Sequence, residues 1–176
     1  MQEKSLSSAR QVLENIMPLA QQSIDEVRRI IMDLRPSILD HLGLIATISW
    51  FCREFESIYA DIHIGKEIQV EEKDIPEGVK TAIYRIMQEA LNNAAKYSRA
   101  EVILLKLARK NGVLELLIED HGSGFDIKNI MAMDRDMRGM GLVSMKERAL
   151  LTGGSFDINS YPGKGTKIHI TWPLRE

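Results

Sequence analysis

Cysteine is all but missing: the 176-residue chain has one, Cys52, set among apolar neighbours in ISWFCREF. No internal disulfide framework is possible, and the surroundings predict a buried thiol, which suits a reducing cytoplasm. An excess of charge of one sign is missing too. Lys and Arg number 23 against 25 Asp and Glu, a formal net charge of −2, so nothing global points to nucleic acid or an anionic membrane as partner. No uninterrupted apolar run approaches the roughly 18 residues that span a bilayer, and the polar start MQEKSLSSAR lacks the make-up of a signal peptide. Internal repeats and low-complexity segments are also absent. What remains, 44% hydrophobic and 27% charged residues, is ordinary for a soluble protein. The length suits one domain with a sizeable core, or a domain with a helical appendage.

Leu6, Ala9, Leu13, Ile16, Ala20, Ser23, Val27, Ile30 and Leu34 alternate three and four apart, the seam of a helix that packs on other helices. Pro18 interrupts it, so a kink or a true start is expected there. DLRPSILDHLGL closes this helix before Pro36 and opens a second. That one is expected to run to about Tyr59, with Leu39, Leu42, Ile45, Trp50, Phe51, Phe55 and Ile58 on its buried side. DIHIGKEIQV alternates as a strand or hairpin. Pro76 to about Tyr97 repeats as a helix, and VILLKLAR and VLELLIED flank Asn111-Gly112 as a hairpin. Residues 125–138, rich in Met, Asp and Arg, have little periodicity and are expected to form a mobile loop. LVSMKERALLTGG is a short helix closed by glycines, and SFDINSY and GTKIHITW make a last hairpin around PGKG.

Four short stretches carry polar chemistry. In EALNNAAKYS, Glu89 and Asn93 are four apart and stack on one helix face, with Lys96 and Tyr97 a turn further on roughly the same side. A solvated helix face would explain them. So would a magnesium nucleotide site: an amide carbonyl is a hard neutral ligand for Mg²⁺, a carboxylate one turn away orders its waters, and a lysine meets a phosphate. In EDHGSGF, Asp120 ends a strand and is followed by Gly122 and Gly124. Aspartate accepts from an exocyclic amine such as adenine's, and glycines let a flat base approach the backbone, although a plain turn after a strand fits as well. RGMGL places Gly139 and Gly141 just before a helix, where unpaired N–H groups and the helix dipole favour phosphate. PGKGT ends on Thr166, which a hairpin turn alone would also explain.

The order of these four resembles the ATP-binding fold shared by histidine kinases, DNA gyrase, the Hsp90 chaperones and the MutL mismatch-repair proteins, the GHKL or Bergerat superfamily. EALNNAAKY looks like its N box, DHGSG its G1 box, RGMGL its G2 box and GKGT the segment that closes the adenine pocket. EVRRIIMDLRPSILDHLGL, IYRIMQEALNNAAKYS, GLVSMKERALLTGG and PGKGTKIHITWPL are most similar to sensor histidine kinases of the nitrate-sensor type, which partner NarL-class response regulators. The likeness runs from about Ser23 to Leu174.

This resemblance implies an α+β fold, a two-layer α/β sandwich preceded by a long bundle-type helix. Residues 1–35 would be the second helix of a dimerisation bundle, 36–60 a linker helix packing on the catalytic domain, and 61–176 the catalytic ATP-binding domain. The implied cofactors are ATP and Mg²⁺. Asn93 would be the Mg²⁺ ligand, Glu89 would order a metal-bound water or help proton transfer, and Lys96 and Tyr97 would lie near phosphate or ribose. Asp120 would bind the adenine amino group, and Gly122 and Gly124 would shape the base pocket. Gly139 and Gly141 would hinge a lid over residues 125–138, with Met140 and Leu142 beside them at the nucleotide. Thr166 would support adenine, directly or through water. Asn92 is expected to face the protein.

Two departures stand out. His121 and Ser123 occupy positions where this class often carries Asn or Asp and then Arg, which bears on contacts with the lid. None of His41, His63, His121 and His169 lies in a motif resembling E-L-H-D, the family's phosphoacceptor segment. The expected protein is therefore a catalytic part that begins in mid-bundle, cut from a cytoplasmic kinase or from the cytoplasmic part of a membrane-bound one. In the intact kinase it would form a homodimer through the bundle helix, pass phosphate to a response regulator, and touch neither nucleic acid nor membrane. Rival readings remain: a gyrase- or MutL-like ATPase in which Glu89 activates water, an anti-sigma-factor-like module that phosphorylates a serine on a partner, and a nucleotide-free dimerisation protein whose bundle helix does the work. The short loop before the G2 glycines and the LRPSILDHLGL link favour the histidine kinase over the ATPase.

Overall fold

The computed structural model describes residues 37–127 and 140–174, together with residues 16–18, 20, 21, 23, 24, 26 and 27. The chain divides into two units, Met1–Pro36 and Ser37–Glu176. In the first, every described residue is helical, and Ile16, Met17, Ile24 and Val27 are exposed. Pro18 lies inside this helix rather than at its start, since Ile16 and Met17 before it are already helical. Leu6, Ala9, Leu13, Ile30 and Leu34 of the expected seam lie outside the described residues.

The second unit runs α1 (Ser37–Ile58), β1 (His63–Gln69), α2 (Glu77–Asn93), β2 (Val102–Lys110), β3 (Val113–Asp120), α3 (Met140–Leu151), β4 (Ser155–Ser160) and β5 (Thr166–Pro173). The strands form one mixed sheet in the order β1-β2-β3-β5-β4, with β1 parallel to β2 and the other neighbours antiparallel. Asn111 and Gly112 turn the first hairpin with positive φ at both (52° and 75°), the backbone that a two-residue hairpin needs. DIHIGKEIQV contributes a single strand and no hairpin, because its ladder goes to β2. α3 ends as expected at glycine: Gly153 N–H and Gly154 N–H donate to the carbonyls of Leu150 and Ala149.

One face of the sheet is the core. Strand alternation puts Leu105, Ile118 and Ile168 in one transverse row and Leu107, Leu116 and Ile170 in the next, all buried. At the end of the sheet the same face carries Ile103, Asp120, Thr166 and Ser160. Each buried Leu or Ile contributes about 1.5–3 kcal/mol, so the apolar rows outweigh the cost of one polar row. Helix α2 supplies the facing layer, with Val79, Ile83, Ile86, Met87, Ala90 and Leu91 buried at helical spacing.

Helix α1 is not continuous, contrary to expectation. Gly43 leaves the helix (φ 83°, ψ 179°), and the residues beyond it are rotated relative to those before. Leu42, expected inside, is 67% exposed, while Leu44, Ile48 and Cys52 join Phe51 and Phe55 in the core. Phe51 also meets Tyr84 of α2 edge to face, with ring centroids 5.8 Å apart. Burial pushes the Cys52 thiol up to about 11, so it is inert.

The break leaves the second half of α1 with a fresh N-terminus and its unpaired N–H groups. Glu72, from a short 3-10 turn (Glu72–Asp74), accepts from Leu44 and Ile45 N–H at 2.9 Å each, and Lys80 of α2 contacts the same carboxylate at 2.8 Å. A Cβ on Gly43 would meet that carboxylate at 2.5 Å. Burial alone would raise the Glu72 carboxyl, but Ile45 N–H, the Lys80 ammonium and Leu44 N–H outweigh it and hold its pKa below the ordinary 4.5. A group depressed in the folded state stabilises the fold above its unfolded value and ceases to do so as pH falls through the folded one. Glu72→Gln is therefore expected to cost about 1 kcal/mol at neutral pH, as a lost helix cap does, or a few degrees of melting temperature. The gap to wild type should close in melts run well below pH 4.5.

Helix α2 also departs from expectation. Its α-helical part ends at Asn93 and one π turn follows, Ala94–Ser98, closed by Arg99 in the left-handed region (φ 56°). Bonding from i to i+5 winds more residues into a turn. Lys96 therefore leaves the face shared by Glu89 and Asn93, whereas Tyr97 stays on the Asn93 side.

Candidate functional site

The polar row at the sheet's end, the C-terminal part of α2 and the first turns of α3 enclose a cavity of about 320 Å³. Ile118 and Ile168 line it because they stand two residues in from Asp120 and Thr166 on the same strands, hence on the same face. Ala90, Asn93, Ala94, Tyr97 and Ser98 form the side of α2 and its following turn, Gly141, Leu142 and Met145 the α3 side, and Ser123, Gly124 and Phe125 complete the lining. An apolar slot with a few polar groups suits a flat ligand that must be oriented.

Asp120 is buried and accepts from the Gly122 N–H at 2.9 Å. Burial pushes its carboxyl upward, and the Gly122 and Thr166 N–H groups only partly pull it back. A carboxylate in such a place is costly and accepts only, so a ligand donor improves its situation.

On α2, Asn93 Nδ2 donates to Glu89 Oε1 at 3.1 Å. The bond orients the amide, committing its nitrogen to Glu89 and leaving the carbonyl oxygen as its acceptor end. Gly141, in the first turn of α3, lies against this pair: a Cβ there would overlap Glu89 Oε1 and come within 3.2 Å of Asn93 Nδ2. The N-terminus of α3, with its unpaired N–H groups and positive dipole end, thus meets the Glu89–Asn93 face.

The segment after β3 is clamped by backbone. Ser123 N–H donates to Ser98 O at the end of the π turn, Ser123 Oγ to Tyr97 O at 2.9 Å, and Gly163 N–H to Ser123 O. A Cβ on Gly122 would fall on the Ser98 carbonyl, and one on Gly124 on the Tyr161 carbonyl. The glycine spacing therefore serves close chain-to-chain contact around the cavity.

Among the residues singled out from sequence, Asn93, Tyr97, Asp120, Gly124, Gly141, Leu142 and Thr166 line this cavity. Glu89 stands behind Asn93 through their hydrogen bond, and Gly122 behind Asp120. Lys96 is exposed and outside the lining, Tyr97 is largely exposed, and Met140 is exposed at the first position of α3. Asn92 is half-buried and outside the lining. Gly139 and residues 128–138 of the expected lid lie outside the described residues. The histidines are not part of the lining; His41, His63 and His121 are exposed and His169 is half-buried.

Sequence reasoning missed Ala90, Ala94, Ile118, Met145, Ile168 and the buried Ser160. Counting two along the strands from Asp120 and Thr166 finds both isoleucines, and counting back one helical turn from Asn93 finds Ala90. Nothing local marks Ser160, whose place opposite Thr166 is a matter of strand register.

Among the described residues no group of three or more His, Cys, Asp and Glu could hold a metal ion. The Asn93 carbonyl beside the Glu89 carboxylate is instead a hard-oxygen set. It fits Mg²⁺ that arrives on a nucleotide and keeps most of its ligands as phosphate and water.

A mixed sheet with helices, and a cavity bounded by the Asn93, Asp120 and glycine segments, defines an ATP-binding domain of the GHKL kind. Comparison with known proteins agrees: the chain belongs to the histidine kinase-, DNA gyrase B- and HSP90-like ATPase family, whose profile matches residues 78–176. It is 35% identical over 176 residues to the signal transduction histidine-protein kinase/phosphatase DegS of Brevibacillus brevis, covering 98% of this chain and 43% of DegS. It is 33% identical over 153 residues to the oxygen sensor histidine kinase NreB of Staphylococcus carnosus, covering 87% of this chain and 43% of NreB. The chain thus spans less than half the length of these relatives. The fold also matches the histidine kinase domain of the Erythrobacter litoralis EL346 blue-light activated kinase, with TM-score 0.59 and 20% identity over 74% of this chain and 61% of that one. A second match, the mycobacterial sensor kinase MprB, has TM-score 0.53 and 24% identity over 70% and 89%. The domain is homologous to that of sensor histidine kinases, and among the described residues no helix is long and apolar enough to cross a membrane.

Proposed function

We propose that the chain is the catalytic part of a two-component sensor histidine kinase. It positions Mg·ATP so that the γ-phosphoryl group can be delivered in line to a histidine other than the four in this chain, and from there to an aspartate of a NarL-class response regulator. The observation that carries this reading is one cavity with an acceptor-only carboxylate, Asp120, and a hard-oxygen pair, Asn93 and Glu89, set against a helix N-terminus. Asp120 takes the adenine amino group, Ile118 and Ile168 face the base, and Asn93 offers its carbonyl to Mg²⁺. When bound, Mg²⁺ neutralises phosphate charge and holds the triphosphate in place. Glu89 orients Asn93 through the 3.1 Å hydrogen bond. Lys96 and Tyr97 serve the phosphates or ribose, and Gly124 and Gly139 bracket the lid.

Residues 1–35 belong, on this reading, to the second helix of a dimerisation bundle and 36–60 to a linker on the catalytic domain. The balanced charge and single buried thiol suit a cytoplasmic location with neither nucleic acid nor membrane as ligand.

Incubation with γ-labelled Mg·ATP tests the proposal. The chain alone is expected to bind nucleotide, take no covalent label and release phosphate slowly. Joined behind the histidine-bearing segment of DegS, it should yield acid-labile label. Robust phosphate release with no transfer in the joined protein would overturn it. Asn93→Ala is expected to weaken ATP binding in Mg²⁺ by about tenfold or more, the scale of a lost charge-assisted contact, and to change the melting temperature little. Equal affinities for wild type and variant would sink the metal-ligand role.

A further inference from the structure

The last row of the buried sheet face carries three polar side chains on adjacent strands: Asp120 on β3, Thr166 on β5 and Ser160 on β4. Ser160 is 4% exposed, and its hydroxyl, with one proton and two lone pairs, is fully engaged. The Gly165 carbonyl oxygen, 3.0 Å away, can only accept, so the Ser160 proton goes there. The Phe125 N–H, 2.9 Å away, can only donate and occupies one lone pair. Thr166 Oγ1 lies 3.0 Å from Ser160 Oγ. With the serine proton committed to Gly165, the threonine is the donor in this pair. The Thr166 hydroxyl therefore turns its proton toward Ser160 and keeps only lone pairs for a ligand.

We propose that Ser160 is a positioning residue for base selection: it fixes the Thr166 proton so that Thr166 and Asp120 together present only acceptors to the 6-position of a purine. A 6-amino purine brings donors to this row and is accepted. A 6-oxo purine brings an acceptor and is refused. The same hydroxyl accepts from the backbone N–H of Phe125, which also lines the cavity. The inference rests on the nucleotide-site reading above.

Equilibrium binding of ATP and inosine triphosphate, each with Mg²⁺, to the whole chain and to the variants Ser160→Ala and Thr166→Val tests it. Wild type should prefer ATP. In Ser160→Ala the Thr166 hydroxyl is released to donate, and the preference should shrink by up to about tenfold, the range of one neutral hydrogen bond, chiefly because inosine triphosphate binds better. Thr166→Val should shrink it in the same direction, and adding Ser160→Ala to that variant should change it no further, since Ser160 acts through Thr166. Equal weakening of both nucleotides by Ser160→Ala, the mark of a merely structural role, would overturn the proposal. So would an unchanged preference in Thr166→Val, which can be read even where Ser160→Ala does not fold. A wild-type chain that binds neither nucleotide would overturn the nucleotide site itself and this proposal with it.

Discussion

Asp120→Asn is expected to weaken ATP binding by tenfold to a hundredfold, the range of about 1.5–3 kcal/mol for a hydrogen bond to a charged partner, while its stability relative to wild type improves as pH rises from acid to neutral. The two effects share a cause. Asp120 is a buried carboxyl whose pKa burial raises, with the Gly122 and Thr166 N–H groups only partly opposing. The folded state therefore holds this proton more tightly than the unfolded chain does. Its contribution to stability is complete below the unfolded value and is lost as pH rises through the folded one. At neutral pH wild type bears that loss, and the neutral amide escapes it. Melting curves of both proteins across pH, beside ATP titrations, separate the roles. A variant whose relative stability falls toward neutral pH would show that the carboxylate serves the fold and not a ligand.

Gly165→Ala is expected to destabilise the domain severely and to abolish nucleotide binding with it, whereas Gly163→Ala, two residues away, should cost only about 1–2 kcal/mol, the strain of left-handed backbone. Both glycines have positive φ, 74° and 78°. They differ in what surrounds them. A Cβ on Gly163 meets nothing within 4 Å, but one on Gly165 would fall on the Asp120 carbonyl and press on His121 Cα at 2.8 Å. Backbone cannot step aside as a side chain can, so strands β3 and β5 would separate at the row of Asp120 and Thr166. Overpacking of this kind adds about 1–3 kcal/mol or more to the strain. Urea titrations giving similar losses for the two variants would show that backbone conformation alone explains the glycine.

Local signals in the sequence were sufficient where the structure is local. Asn111-Gly112 makes its hairpin because both residues tolerate positive φ, and the glycines after α3 close it. The order of the N-box, G1, G2 and G-x-G-T segments identified the family and most of the cavity. Periodicity failed where a distant group intervened. Gly43 reads as one more residue of a helix until Glu72 arrives from another element to cap the break, and beyond it Leu44, Ile48 and Cys52 turn inward beside Phe51 and Phe55. The π turn at Ala94–Ser98 is similar, since Lys96 shares a face with Asn93 only if α-helical winding continues, whereas Tyr97 lines the cavity beside Asn93. Ser160 was invisible because a lone serine at a strand end acquires meaning only through its register with Thr166 and Asp120.

The measurement that bears most directly on the account is a calorimetric titration of the whole chain with ATP, with Mg²⁺ and then with a chelator, repeated in competition with GTP. One ATP per chain is expected, bound more tightly with Mg²⁺ and scarcely displaced by GTP. Absence of saturable ATP binding, or equal affinity for ATP and GTP, would contradict it.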